Sequence, residues 1–586
     1  MSLETLPLVL PAKLEGRSMS HLLKFLAAIM VTVVFGLVAV SSLRAQNAAP
    51  PQPAPPKGPP LIVEGRVVSQ YGPVKGAQVR LPGQSQMVLT DNQGHYDLKT
   101  TAPVMGRPMV TAGKAGWFNN AASLSWGGQA GDITLYPVFL QDDPSYQYYS
   151  PLVCFRCHGR LTRIWDQSKM AHATSNPLLL QMYYGTEQER LNGKGIAYKI
   201  AEPNSQGNCA QCHAPGAASD PKRSRDLDEI LRSPLTTWDG ISCDYCHKTR
   251  KVLPAPLSPS GFAPALVRQY PFQGRSILVF GPYSDVVTQP MAASYAPVFK
   301  QGEFCSSCHS HLKPLPAGNK WDPSKVYTPD EMAGFGIKGN TVLPVQTTFQ
   351  EWKQWQDGLG PKDPNKGKRC QFCHMSWQKR LLPYDNYVVE GMAQHMFNAT
   401  YRSPNDLHPH HFEGGTKNQL QNAVALEVNG KLDKKIFTVT VRISNTNGGH
   451  WVPTGETMRN MLLLVSAKSL EDKPLKLIKG PRLPAWAGRG DPAKGDYAGL
   501  PGYAFARVLA DGEGNLNVPF WKATRIASDT RLRPKSTLKL EFVYQLTDPS
   551  DEPSAEAQLI YRPVVRPLAK AKGWEVKDIP VTAKAW

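Results

Sequence analysis

No cysteine of this 586-residue chain stands alone: all ten fall into five C-x-x-C pairs, with none left over for an isolated structural disulfide. Long apolar runs are nearly missing. The longest, FLAAIMVTVVFGLVAV over residues 25–40, has Lys24 before it and SSLRAQ after it. Sixteen residues are short for a membrane-spanning helix and suit a secretory signal cleaved after Ala45, with an uncleaved anchor as the alternative. Met19 is a candidate start. No cysteine follows the signal to take a lipid. The bulk of the chain is therefore expected to be exported, either to the periplasm or to the cell surface. Runs of Lys and Arg are absent, as is any nucleic-acid motif, so nucleic acid is excluded as a partner. Acidic residues are in deficit, 47 against 66 basic ones, for a formal charge of +19 that falls to +17 without residues 1–45. Such an excess favours acidic partners or surfaces. With 52 prolines, few long helices are expected.

What is present divides the chain. After the signal (1–45), residues 46–60 contain NAAPPQPAPPKGPP, an extended proline-rich linker. Residues 61–137 alternate short β-rich segments with Gly, Pro and Asp-Asn turns, the pattern of a small antiparallel sandwich. Residues 138–415 hold every cysteine and 11 of the 14 histidines, and sustain no regular pattern. Their best short helices are RIWDQSKMAHATSNPLLLQMYY and TFQEWKQWQDG. From 416 to 586 the alternation returns. IFTVTVRIS sets Phe437, Val439, Val441 and Ile443 on one face, and MLLLVSAKSL and STLKLEFVYQL add strands, for a second sandwich. GPVKGAQVRL followed by TDNQGHYDL, between Val67 and Leu98, resembles the carboxypeptidase-regulatory-like, transthyretin-like β-domain. That resemblance implies a structural or adhesive module without catalysis.

Each cysteine pair is followed at once by histidine: CFRCH at 154–158, CAQCH at 209–213, CDYCH at 243–247, CSSCH at 305–309 and CQFCH at 370–374. C-x-x-C-H is the attachment signature of c-type haem. Cys154, Cys157, Cys209, Cys212, Cys243, Cys246, Cys305, Cys308, Cys370 and Cys373 would form thioethers to the porphyrin. His158, His213, His247, His309 and His374 would then lie under the irons as proximal ligands. A single motif would leave zinc knuckles, disulfides or a thioredoxin-like pair open. Five repeats without a stray thiol point to five covalently bound haem c groups. In the 278 residues from 138 to 415 these cofactors would supply much of the core and replace regular structure.

The sixth ligand decides function, because a second imidazole or a methionine closes the iron and an open position admits substrate. Eight further histidines are candidates. His95, in a turn of the first sandwich, is the weakest. His172 follows the first motif on a short helix, with Met170 two residues earlier. His395 has apolar neighbours and needs a polar partner. His408, His410 and His411 share the loop HPHHFEGG. His311 lies two residues past a proximal ligand, so it would serve another haem or hold a propionate. His450, in NTNGGHWVPTG, stands on a glycine-flanked turn from which its ring could leave a sandwich edge and ligate a haem.

From Cys154 to about Leu464 the chain resembles multihaem cytochromes c of the cytochrome c-554/c-552 type. The marks are IWDQSKMAHATSNP, CAQCHAPG, GISCDYCH, FGPY, FCSSCHSH, CQFCHM, HHFEGG and NTNGGHWVPTGETMR. The resemblance implies electron transfer through closely packed, mostly bis-histidine haems, with His410, His411 and His450 as ligand candidates. One departure is VVTQPMAASYAP, which carries Met291 where relatives often have histidine, so Met291, His311 or nothing completes one site. The expected fold is multidomain: an N-terminal β-sandwich, a central haem-packed, mainly α and irregular multihaem cytochrome c domain, and a C-terminal β-sandwich contributing a haem ligand. The leading function is an exported one-electron carrier with redox protein partners as donor and acceptor, such as a membrane-side quinol oxidase or an outer-surface acceptor. One alternative is a multihaem oxidoreductase with an open haem for a small nitrogen or sulfur oxyanion. The C-x-x-C-K motif of pentahaem nitrite reductases is, however, absent. The other alternative is a homo-oligomer, the subunit of an extracellular cytochrome filament.

Overall fold

The computed structural model describes residues 57–103, 109–125, 128–233, 240–255, 258–270, 277–288, 291–314, 342–376 and 408–586. The expected signal, most of the expected linker and His395 lie outside them. Among the described residues no helix is long and apolar enough to cross a membrane.

Near the N-terminus, the strands Lys57–Ser69, Gly72–Pro73, His95–Pro103 and Ile133–Thr134 form one sheet. Gln78–Arg80, Val88–Leu89, Met109–Gly113 and Asn120–Ser123 form a second. Val63, Val67 and Leu98 from the first sheet meet Val79, Val110 and Ala112 from the second in one fully buried core. The tight turn into His95 is built by Asp91, whose Oδ1 accepts from the Gln93 and His95 amides at 2.9 and 2.8 Å. Gly94 there has φ +77°, and a Cβ would lie 2.4 Å from the Val67 carbonyl oxygen. His95 is exposed on this turn.

The C-terminal part repeats this logic on a larger scale. One sheet runs Val424–Asp433, Ile436–Asn445, Thr537–Gln545, Lys476–Lys479. The other runs Gly502–Phe505, Asn460–Lys468, Ser554–Arg562, Ile579–Ala585. Phe437, Val439, Val441 and Ile443 are buried as the alternation predicts, and they pack with Leu463, Val465, Ala557 and Leu559 in one core.

Between these parts regular structure is sparse and local. The segment expected as one helix over RIWDQSKMAHATSNPLLLQMYY is two. Pro151–Asp166 is capped by Ser150 and carries the first motif, and Pro177–Tyr184 is capped by Asn176 with Pro177 in its first turn. The Asn-Pro pair restarts the helix, so His172 sits in the intervening turns rather than on a helix. Short strand pairs also occur here: Thr249–Pro254 with Phe262–Leu266, Ile277–Gly281 with Met291–Tyr295, and His311–Pro314 with Val342–Gln346.

Both β-rich parts are seated on this central region. Phe118 and Val138 join Leu278, Phe280 and Ala292 in a shared cluster, and the Asn119 amide donates to the Ala293 carbonyl at 2.9 Å. On the other side, the fully buried Lys572 reaches Glu189 at 2.6 Å and the Gln181 carbonyl at 2.9 Å.

Candidate functional site

A helical turn places residues i, i+3 and i+4 on one side. Both thiols and the imidazole of C-x-x-C-H therefore leave the backbone together. Cys209–His213, Cys243–His247 and Cys370–His374 are each one such short helix. The fourth motif follows a 3-10 turn, with the His309 amide donating to the Cys305 carbonyl at 2.9 Å. The first lies inside the Pro151–Asp166 helix, which is kinked at His158.

All five motifs face one connected cavity of about 2040 Å³. A single drug-sized ligand occupies roughly 300–1,000 Å³, so this space suits several large groups. None of the ten thiols is in a disulfide. Thiols of different motifs nevertheless meet: Cys154 with Cys243, Cys212 with Cys308, and Cys305 with Cys370, each in hydrogen-bond contact. Cys246 lies within electrostatic reach of Cys308 and Cys305. The fourth motif thus touches the second and fifth and approaches the third, and the third touches the first.

The imidazoles are oriented through Nδ1. His247 engages the Phe280 carbonyl at 2.7 Å and His374 the Glu413 carbonyl, while the His213 ring hydrogen-bonds the Ala173 backbone. A donor Nδ1–H leaves Nε2 as the free lone pair, the arrangement by which carbonyls orient metal-binding histidines. His450 repeats it with the Trp451 carbonyl at 2.9 Å. Burial holds the His309 imidazole down to about 4, helped by His374, Arg459 and His450. Burial, then His247 and His158, bring His410 to about 3. Both are neutral at pH 7, the ligating form.

Two of the proposed distal residues stand opposite motif histidines. The rings of His374 and His450 have centroids 6.1 Å apart and planes within 13°. Those of His247 and His410 are 6.4 Å apart and within 25°. Two imidazoles bound at about 2.0 Å on opposite sides of one metal have centroids ~6 Å apart. His158 and His410 lack the orienting Nδ1 contact, since Nδ1 of each is buried without a hydrogen-bond partner. Cavity, thiols and near-parallel imidazole pairs all fit haem.

The other candidates are placed as follows. His311, His408, Met170 and Met291 line the cavity. His311 is 3.6 Å from Glu456 and packs edge-on to Phe520. His311, Glu456 and Arg459 all lie within electrostatic reach of His213. His408 Nδ1 is 3.3 Å from the Met375 carbonyl. His172 and His411 do not line the cavity. Their Nε2 atoms meet the carbonyls of Asp166 at 2.7 Å and Ser376 at 2.8 Å.

Sequence reasoning missed the ionic groups that hold this frame. Glu351 is buried between the Thr348–Asp357 helix and the His450 loop, and Arg459 lines the cavity beside Glu456. Glu351 could have been noticed, because it shares the Thr348, Trp352 and Trp355 face of an amphipathic helix where a lone carboxylate is out of place.

Five thioether-and-imidazole motifs around one cavity define a multihaem c-type cytochrome. Residues 153–248 match the family described as cytochrome c554 and c-prime. A penta-haem cytochrome c552 from Thermochromatium tepidum aligns with 75% of this chain and 99% of its own, at 19% identity and a TM-score of 0.49. No curated protein sequence matches the chain. The match supports covalently bound haem c, redox protein partners and a role in electron transfer or redox catalysis.

Proposed function

We propose that the chain is an exported pentahaem electron carrier whose haems are mostly bis-histidine. The observation that carries this reading is the pair of near-parallel imidazole couples, His374 with His450 and His247 with His410, inside a cavity that all five motifs share. The ten motif cysteines hold the porphyrins, the five motif histidines ligate from the proximal side, and His410 and His450 close two irons. Bound haem supplies reversible one-electron storage, and paired imidazoles keep its potential below that of His/Met sites. Thiol contacts join the first motif to the third and the fourth to both second and fifth, and the third approaches the fourth within electrostatic reach, which supports that order of neighbours. The fourth motif is therefore the branch point.

Low-temperature EPR of the fully oxidised protein, with spins counted against total haem, tests the reading. All iron is expected to be low-spin, and His450→Ala should turn one haem in five high-spin. A native high-spin share of one fifth would favour the second reading, an oxidoreductase acting on a small nitrogen or sulfur oxyanion. The observation behind that alternative is the wall beside His213. There, Arg459 and the Glu456–His311 pair lie within electrostatic reach of His213, and Glu456 engages the His311 ring at 3.6 Å.

A further inference from the structure

We infer that Glu351 is the positioning residue that holds His450 on the far side of the His374 site. Through it the C-terminal β-unit is latched to the redox centre. The inference rests on the reading of His450 as a ligand.

Glu351 has 1% of its surface exposed. A carboxylate taken out of water costs several kcal/mol unless donors fill its lone pairs. Four donors do so here. Oε2 accepts from the Trp451 amide at 3.1 Å and the Thr454 hydroxyl at 2.8 Å. Oε1 accepts from the Thr347 hydroxyl at 2.6 Å and Arg531 Nη1 at 2.7 Å. Two of the four come from the loop that presents His450, one of them from the residue next to it.

The rest of that loop is fixed from the C-terminal side. Asp529 holds Arg531 in a fork, Nε and Nη2 each at 2.8 Å, and receives Arg507 at 2.9 Å. The guanidiniums of Arg531 and Arg533 lie over the Trp451 ring, at 4.9 and 4.7 Å from its centroid. Asn445 Nδ2 donates to the His450 carbonyl at 2.9 Å. Gly449 lets the loop pass Trp355 of the Glu351 helix, since a Cβ there would meet the indole at 2.6 Å.

Glu351 is thus the point where helix and loop are tied by charge rather than by apolar contact alone. Groups that orient a ligand from outside the coordination sphere typically matter 10- to 100-fold in metal affinity. Without the carboxylate, the Trp451 amide and Arg531 Nη1 lose their buried acceptor, and the loop has reason to leave.

The test compares Glu351→Ala, Glu351→Gln and His450→Ala in the full holoprotein by spin-counted EPR, with free imidazole as the rescuing probe. In Glu351→Ala we expect high-spin iron approaching the one-in-five share of His450→Ala, returned to low-spin by imidazole in both. Glu351→Gln keeps an acceptor for the amide and hydroxyl and should stay mostly low-spin. A purely structural carboxylate would lower the melting temperature of Glu351→Ala without moving the spin state, and that result overturns the inference. Low-spin iron throughout His450→Ala would instead overturn the ligand reading beneath it. Should Glu351→Ala fail to assemble, Thr454→Val removes one donor from the same oxygen. Carbon monoxide should then bind the reduced protein faster than it binds the parent, and an unchanged rate overturns the latch.

Discussion

A lysine with no exposed surface follows the histidine of the third motif. Lys248 Nζ donates to Asp244 at 2.6 Å and to the Leu278 carbonyl at 2.7 Å, and lies 5.0 Å from the centre of the Tyr146 ring. Asp244 also accepts from the Tyr146 hydroxyl at 3.0 Å and the Tyr149 amide at 2.8 Å. Removing one member of a buried pair strands the other, at a cost of about 3–5 kcal/mol, whereas removing both together is often close to neutral. Lys248→Met should therefore destabilise strongly, and adding Asp244→Asn should recover most of the loss. Paired thermal melts check this; equal melting temperatures for the single and double variants would mean the two groups are not coupled. A redox titration of Lys248→Met adds an independent readout. Loss of a cation beside His247 should lower the potential of one haem and leave the others in place. The i,i+4 spacing of Asp244 and Lys248 is plain in CDYCHK, but that both are buried is not, because the strand Ile277–Gly281 that covers them lies 30 residues on.

Among elements, legibility followed the range of the cause. The strand Ile436–Asn445 was readable because its alternation is local and its whole inner face is buried. The five motifs were readable because thioether chemistry fixes their spacing. The break between Asp166 and Pro177 was not: apolar residues run through it, and only the Asn-Pro restart marks it. His450 was readable as a protruding ring, but its partner His374 was not, since nothing local couples a loop of the C-terminal part to the fifth motif. The ionic frame behind the loop was invisible for the same reason, with Glu351 and Arg531 lying 180 residues apart. That frame gives an element-scale prediction. Burial pushes the Asp529 carboxyl up, but Arg531 and Arg507 outweigh it and bring it to about 2. A carboxyl with a lowered folded pKa contributes stability that is full above its unfolded value near 3.8 and is lost as pH falls towards 2. Asp529→Asn should thus melt at a lower, constant offset from the parent above about pH 4, and the two curves should converge below it. An offset that persists to pH 2 would assign the loss to packing.

The whole molecule is two β-units seated on a region that lacks a core of its own. Each unit buries its apolar faces internally: Val63, Val67, Leu98, Val79 and Val110 in the first, and Phe437, Val439, Val441, Leu463 and Leu559 in the second. The central region offers only small satellite clusters around a cavity of about 2040 Å³ lined by all five motifs. Space of that size cannot stay dry and empty at ordinary packing density, so the central fold depends on what fills it, as in domains where binding energy is folding energy. The two β-units carry no such dependence. A chain made where haem is not attached should therefore keep native-like amide protection in the strands of 61–137 and 424–586 and lose it over 151–374. The His450 loop should be the exception within the C-terminal unit, since its ties to Glu351 run to the unfolded side. Hydrogen exchange of the haem-free chain against the holoprotein reads this directly. Uniform loss of protection would mean that the β-units need the haem region to fold. Uniform retention would mean that the central chain holds its shape without its cofactors.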